Sequence, residues 1–233
     1  MKKLERKLSL SAAIAICIAG MLGGIFILPG IAAVKTGSSV WLAFLLAAIS
    51  ILPAVLSKSE LATAMPKSGG AYLYIERAFG PMMGTISGLG LWISLILKSS
   101  FALIGLGAYL FVLVNIPAGF IKYISLVVLF LIMLLNIFGV KKVGKAQIIM
   151  ISLSLLGLIS LLFIGVPEVK NELLHPFINN GSGAFLSTVA FVYISYAGVT
   201  KIAAVAGEVK NPSRNLPLSM ILSLLIISSI YIA

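Results

Sequence analysis

Two apolar segments of this chain are interrupted where a membrane helix would ordinarily continue. Leu8 to Val34 carries Gly20, Gly23, Gly24, Pro29 and Gly30, and Ala184 to Ala206 carries Ala197-Gly198 at its centre with Lys201 just beyond. Hydrocarbon offers no hydrogen-bond partners, so backbone that stops being helical inside a bilayer has to be buried in protein or line a wet cavity. A pair of such breaks at corresponding positions of two repeats is the sequence pointer to a solute-binding site near the bilayer midplane. The breaks therefore predict a pathway for a small solute.

Composition places the chain in a membrane. It is 61% hydrophobic and only 10% charged, where soluble domains average about 25% charged and about 45–50% apolar. Spans of about 20 apolar residues can be read over 11–34, 39–58, 82–114, 119–138, 147–166, 184–206 and 216–233. The expected fold is thus an all-α polytopic membrane protein of about seven transmembrane helices. The net charge of +11 is unevenly spread. Lys2, Lys3, Arg6 and Lys7 precede the first span, Lys67 and Arg77 follow the second, Lys141, Lys142 and Lys145 follow the fourth, and Lys210 and Arg214 follow the sixth. The alternate loops hold only Lys35, Lys122 and Lys170. This bias predicts a cytoplasmic N-terminus, with the basic loops touching anionic lipid. No basic face with interleaved aromatics is present, so no nucleic-acid partner is expected. The first apolar run is too long for a secretory signal core and six further spans follow it. Cys17, the single cysteine, has no internal disulfide partner and reads as a small packing residue.

Parity suggests an internal repeat. The first span runs outward, so the sixth runs inward, and a second copy of a five-span unit starting there would be inverted because five is odd. The division expected is a first five-helix repeat over 1–166, an extracellular loop over 167–183 that holds His175, and an incomplete second repeat over 184–233. The last apolar run reaches Ala233 with no charge after Tyr231, which reads as the first half, and slightly more, of a longer protein. Pro66-Lys67-Ser68-Gly69-Gly70-Ala71-Tyr72 reads as a turn. In Lys210 to Pro217, one helix ends and another starts, with Pro217 suited to the first helical turn.

Three stretches resemble the amino acid–polyamine–organocation permease superfamily. Gly23-Gly24-Ile25-Phe26-Ile27-Leu28-Pro29-Gly30 is similar to its first-helix glycine motif. Ser59-Glu60-Leu61-Ala62 through Pro66, Gly69-Gly70, Tyr72 and Ala78-Phe79-Gly80 is similar to its second-helix and loop signature. Tyr196-Ala197-Gly198 through Gly207-Glu208-Val209-Lys210-Asn211-Pro212-Ser213-Arg214-Asn215-Leu216-Pro217 resembles its sixth-helix signature. The resemblance covers the whole chain, although such permeases usually have about twelve spans. It implies a five-plus-five inverted-repeat fold with helices 1 and 6 discontinuous, of which this chain holds the first repeat and the start of the second. It also implies secondary transport of an amino acid across the cell membrane by alternating access.

Candidate site residues follow from backbone physics and from that resemblance. Unwound glycine leaves amide N–H groups unpaired, and a half-helix N-terminus adds partial positive charge, a combination that suits a carboxylate. The resemblance implicates the N–H groups of Gly23, Gly24 and Ile25 in holding the substrate carboxylate, and the carbonyls of Gly20, Ile194 and Ala197, beside Gly198, in facing its ammonium. Leu22 stands where the family often has glycine. The alternative for these glycines is close helix packing. Lys98 lies in mid-span, where lysine costs about 2.5–3.5 kcal/mol on insertion scales, so a cavity or a partner is expected beside it. It falls six residues before Ile104-Gly105-Leu106-Gly107, at a place where related exchangers line the substrate pocket. Lys98 also serves as a candidate proton carrier. Lys201 either reaches the pocket's cytoplasmic side or pairs with Glu60 or Glu208. Some proton-coupled relatives carry a fifth-helix lysine in place of sodium, at a position matched here by Ser154, so that fixed charge is missing. Coupling to H+, coupling to Na+, exchange and uniport stay open. Phe26, Tyr193 and Tyr196 are candidate gates, with ordinary packing as the alternative.

Enzyme chemistry has little to build on. The six acidic residues are all glutamates, there is one histidine, and neither a metal constellation nor a phosphate-binding loop is apparent, so no catalytic residue, metal or cofactor is expected. The rival to a working permease is a truncated, transport-inactive homologue that acts as a membrane subunit or is a gene remnant. A polypeptide supplying the missing helices is the partner that either reading invites. A seven-helix receptor is disfavoured by the two central breaks.

Overall fold

A computed structural model describes residues 6–23, 28–114, 117–137, 140–165 and 181–232. Helices α1 (Leu10–Leu22) and α2 (Leu28–Thr36) come first, then a short 3-10 turn η1 (Gly37–Ser39) and α3 (Val40–Ala64). They are followed by α4 (Ala71–Phe79), α5 (Pro81–Val114), α6 (Ala118–Ile137) and α7 (Val140–Gly165). The chain closes with α8 (Gly181–Tyr196), a 3-10 segment η2 (Ala197–Glu208) and α9 (Pro212–Ile232). Among the described residues no strand forms beyond one isolated bridge, Leu8 to Val209.

By length and composition, five helical stretches among the described residues can cross a membrane: Leu28–Ala64, Pro81–Phe111, Ile148–Gly165, Gly181–Glu208 and Pro212–Ile232. Leu10–Leu22 and Gly119–Leu134 are shorter apolar helices. The 37 residues of Leu28–Ala64 would run about 55 Å if straight, nearly twice the hydrocarbon thickness of about 30 Å. Gly37, at φ 67°, turns the chain between α2 and α3 instead. The polar groups of that turn are satisfied locally: Thr36 donates to the Ala32 carbonyl and Ser39 to the Thr36 carbonyl, each at 3.0 Å.

Local chemistry explains the other boundaries. Ser9 Oγ accepts the Ala12 N–H and caps α1. Pro29 sits in the first turn of α2, where a missing N–H is harmless. Two expectations need correcting. The loop signature after α3 is shorter than its turn residues suggested, because an amphipathic helix, α4, begins at Ala71. The last helix starts at Pro212, not near Pro217: Asn211 takes a left-handed φ of 46°, its carbonyl accepts the N–H groups of Arg214 and Asn215, and Pro212 fills the first turn.

The core is a bundle of α1, α3, α8 with η2, and α9, with α2 laid against α8. Small buried side chains let these helices approach: Ala13 and Cys17 on α1, Ala43 and Ala47 on α3, Ser219 and Ser223 on α9. Ser223 also donates to Ile14 O at 3.3 Å, a hydrogen bond between α9 and α1. Phe44, Tyr196 and Tyr231 fill the centre with edge-on and tilted rings 5.0–6.4 Å apart. Outside this bundle α5 packs on α4 and α6, and α7 on α1 and α6. Only 6% of the apolar window is buried in α5 and likewise in α7.

Candidate functional site

The two sequence breaks meet. A Cβ added at Gly20 would lie 2.7 Å from the Gly198 carbonyl oxygen and 3.0 Å from Gly198 Cα, and one added at Gly198 would overlap the Gly20 carbonyl. Only glycine at both positions allows this backbone-on-backbone crossing, where α1 nears its end and α8 has just become η2. The change of helix type at Ala197 has a consequence for hydrogen bonding, since 3-10 geometry is tighter and poorer and rarely lasts beyond three or four residues. Here it recurs over Ala197–Glu208 on both sides of a kink at the non-helical Val205, and the segment is tied down from outside. Gly69 N–H donates to Ala204 O at 3.0 Å, Leu8 N–H to Glu208 O at 2.9 Å, and Lys58 Nζ to Thr200 Oγ1 at 3.2 Å. Gly70, at φ 60°, brings its backbone against Ala203 and Ala204.

The end of α1 is a seat for positive charge. The last four carbonyls of a helix have no intrahelical partner, and the macrodipole makes that end partially negative. Two of these carbonyls are taken by side chains from distant elements. Lys98 Nζ donates to Gly20 O at 2.9 Å, and Tyr231 OH donates to Met21 O at 2.9 Å. Lys201 reaches the same place from η2, its Cδ 3.0 Å from the position a Gly20 Cβ would take. Two cationic side chains thus converge on Gly20. No carboxylate among the described residues forms an ion pair with Lys98 or Lys201, and neither Glu60 nor Glu208 pairs with Lys201.

The other predicted residues fall into three groups. Gly23 is exposed with open space around it, and Gly24, Ile25 and Phe26 lie outside the described residues. Ile194 is 55% exposed, and Ala197 is exposed beside it, giving the junction an accessible side. Tyr196 is fully buried, its hydroxyl donating to Phe44 O at 3.2 Å, while Tyr193 is half-buried. Ser154 is half-buried on α7. A cavity of about 540 Å³ lies between α5 and α6, lined by Leu103, Ile104, Gly107, Ile121, Lys122, Ser125 and Leu126. It shares no residue with the glycine junction and holds a single charged group, so the polar chemistry is at the junction. Among the described residues no group of three or more histidine, cysteine or acidic side chains could hold a metal.

Sequence reasoning missed Lys58, Tyr231 and Phe44. Lys58, in Leu56-Ser57-Lys58-Ser59-Glu60, looks like the polar flank that ends a span. Its distance from Glu60, two residues and therefore not one helix face, was the available hint that it points elsewhere. Tyr231 and Phe44 carry no local motif, and their roles arise only from packing.

Comparison with known proteins agrees with this geometry. The family model described as amino acid permease matches residues 12–233. The branched-chain amino acid permease BcaP of Bacillus subtilis is 29% identical over 250 residues, covering 99% of this chain and 54% of that relative. The serine/threonine exchanger SteT of the same organism is 28% identical over 98% of this chain and 53% of its own length. The human cystine/glutamate transporter is 31% identical over 99% of this chain and 49% of its own length. The chain spans about half the length of these curated relatives, which are transporters rather than enzymes. Glycine breaks joined in one core and a family match over nearly every residue lead to one conclusion: this chain belongs to the amino acid permease family.

Proposed function

We propose that this protein takes part in moving an amino acid across the cell membrane by alternating access around the Gly20–Gly198 junction. The observation that carries the reading is the Lys98 ammonium on the Gly20 carbonyl. A helix end that already binds one ammonium is suited to the α-ammonium of an amino acid. Across the gap, the N-terminal end of α2 is suited to the carboxylate. The core pairs the first two segments (α1–α2 and α3) with α8–η2 and α9, as expected if 1–166 and 184–233 belong to two inverted repeats of a seven-span piece. The basic loops orient the N-terminus to the cytoplasm. Lys98 is the residue at which coupling to H+, or substitution for Na+, is to be sought.

The test is uptake of radiolabelled amino acids into liposomes containing the purified chain, alongside Lys98→Ala. Saturable uptake whose selectivity or pH dependence changes in Lys98→Ala supports the proposal, and unchanged behaviour removes Lys98 from the site.

A further inference from the structure

The junction is more positive than a site for a neutral zwitterion requires. Lys98 and Lys201 both meet Gly20, one through Nζ on its carbonyl and the other through its aliphatic stem, from helices far apart in sequence. Lys58, on α3, donates to Thr200, one residue before Lys201. Lysines at membrane depth are kept where something pairs with them, and among the described residues neither Lys98 nor Lys201 has a carboxylate partner. A carbonyl satisfies one of the three donors on an ammonium and does not cancel its charge. The side of the junction bearing Ala197 and Lys201 is exposed, and Lys98 is half-buried beside it.

Resting on the amino acid site proposed above, we infer that its substrate carries a second carboxylate, an acidic amino acid, and that Lys98 and Lys201 bind that side-chain carboxylate. The excess positive charge at the junction then falls from two to one. The α-ammonium and α-carboxylate go to the helix ends, and the remaining negative charge lies between two lysines that have no carboxylate partner among the described residues, where a charge-assisted hydrogen bond is strongest. A cationic amino acid would add a further positive charge beside the two lysines and is rejected. A neutral amino acid of the same shape leaves the lysines unneutralised and binds more weakly.

The experiment is equilibrium binding of radiolabelled glutamate, glutamine, leucine and arginine to the 233-residue chain in lipid nanodiscs, repeated with Lys98→Met, Lys201→Met and Lys98→Arg. Glutamate and glutamine share a shape and differ in charge, so the wild-type panel decides the question even where a variant fails to fold. Expected is a preference of at least about 10-fold for glutamate over glutamine, and no arginine binding. Lys98→Met should weaken glutamate by at least about 30-fold, the loss typical when one partner of a desolvated charge pair is truncated, and Lys201→Met, at an exposed position, by a few-fold. Lys98→Arg should retain the preference. Leucine or glutamine binding as well as glutamate, or glutamate binding indifferent to both Met substitutions, overturns the inference and leaves the amino acid site standing. Failure of a folded sample to bind any of the four overturns both.

Discussion

The bundle of α1, α3, α8–η2 and α9 and the outer helices α5 to α7 are similarly apolar, yet they are built on different rules. In the bundle, glycine, alanine and serine face neighbouring helices, and polar groups cross between elements: Tyr231 to Met21, Tyr196 to Phe44, Ser223 to Ile14. On α5 and α7 the polar side chains bond mostly within their own helix, as Ser99, Ser100 and Ser160 do, and large apolar residues face outward. Lys98 is the exception, a side chain of α5 that hydrogen-bonds into the bundle. Hydrophobicity alone therefore does not distinguish a helix that shapes a site from one that meets lipid. What distinguishes them is where small residues and unpaired backbone carbonyls occur.

This contrast can be broken most severely at its glycines. Gly198→Val would drive a branched side chain into the Gly20 carbonyl, where no flexible side chain can yield. Overpacking of this kind costs about 1–3 kcal/mol and sometimes more, and Gly198 belongs at the upper end. The expected outcome is loss of the monodisperse species in fluorescence-detected gel filtration. Gly157→Val on α7, which has open space around it, should elute like the parent. Equal behaviour of the two would show that the close approach is not needed for folding.

Next in size are the tyrosine hydroxyls buried in the core. Tyr231→Phe removes a side-chain donor to Met21 O inside the core, leaving it the Gly23 N–H alone, and a buried hydrogen bond is worth about 0.5–1.5 kcal/mol. A lower midpoint in thermal unfolding is expected, with Tyr196→Phe somewhat milder because its bond is longer, at 3.2 Å. Thr200→Val should be smaller again, since it removes only the Lys58 contact at a half-buried position. A loss at the low end of that range is expected in the same assay. Smallest of all is Leu126→Ala, on the exposed face of α6. Outer-face substitutions of this kind are usually within about 0.5 kcal/mol, so a large effect there would mean that the outer helices are packed against protein.

Much of the site was legible because its chemistry is local. Gly20, Gly198, Lys98 and Lys201 each break a rule for a plain membrane helix, by interrupting an apolar run or placing a charge within one. What the sequence could not show was that Lys98 and Lys201 reach the same glycine, since about a hundred residues separate them. Tyr196 was legible only as an aromatic beside a break. Its burial depends on Phe44 and Tyr231, whose positions follow from the packing of three helices. The start of α9 at Pro212 was missed because two prolines compete for the first turn, and the left-handed Asn211 decides between them. Helix α4 was missed because its nine residues follow a glycine pair that reads as loop.

The central claim is that the glycine junction is a binding site and not merely a tight crossing. Ala197→Cys, made in a Cys17→Ala background so that it is the single thiol, places a reporter on the accessible side of that junction. Its rate of alkylation by a small maleimide, in nanodiscs, is compared with that of Leu126→Cys on α6, with and without saturating amino acid. The account predicts that an amino acid slows modification at position 197 several-fold and leaves position 126 unchanged. Equal rates at position 197 with and without every amino acid tested would contradict it.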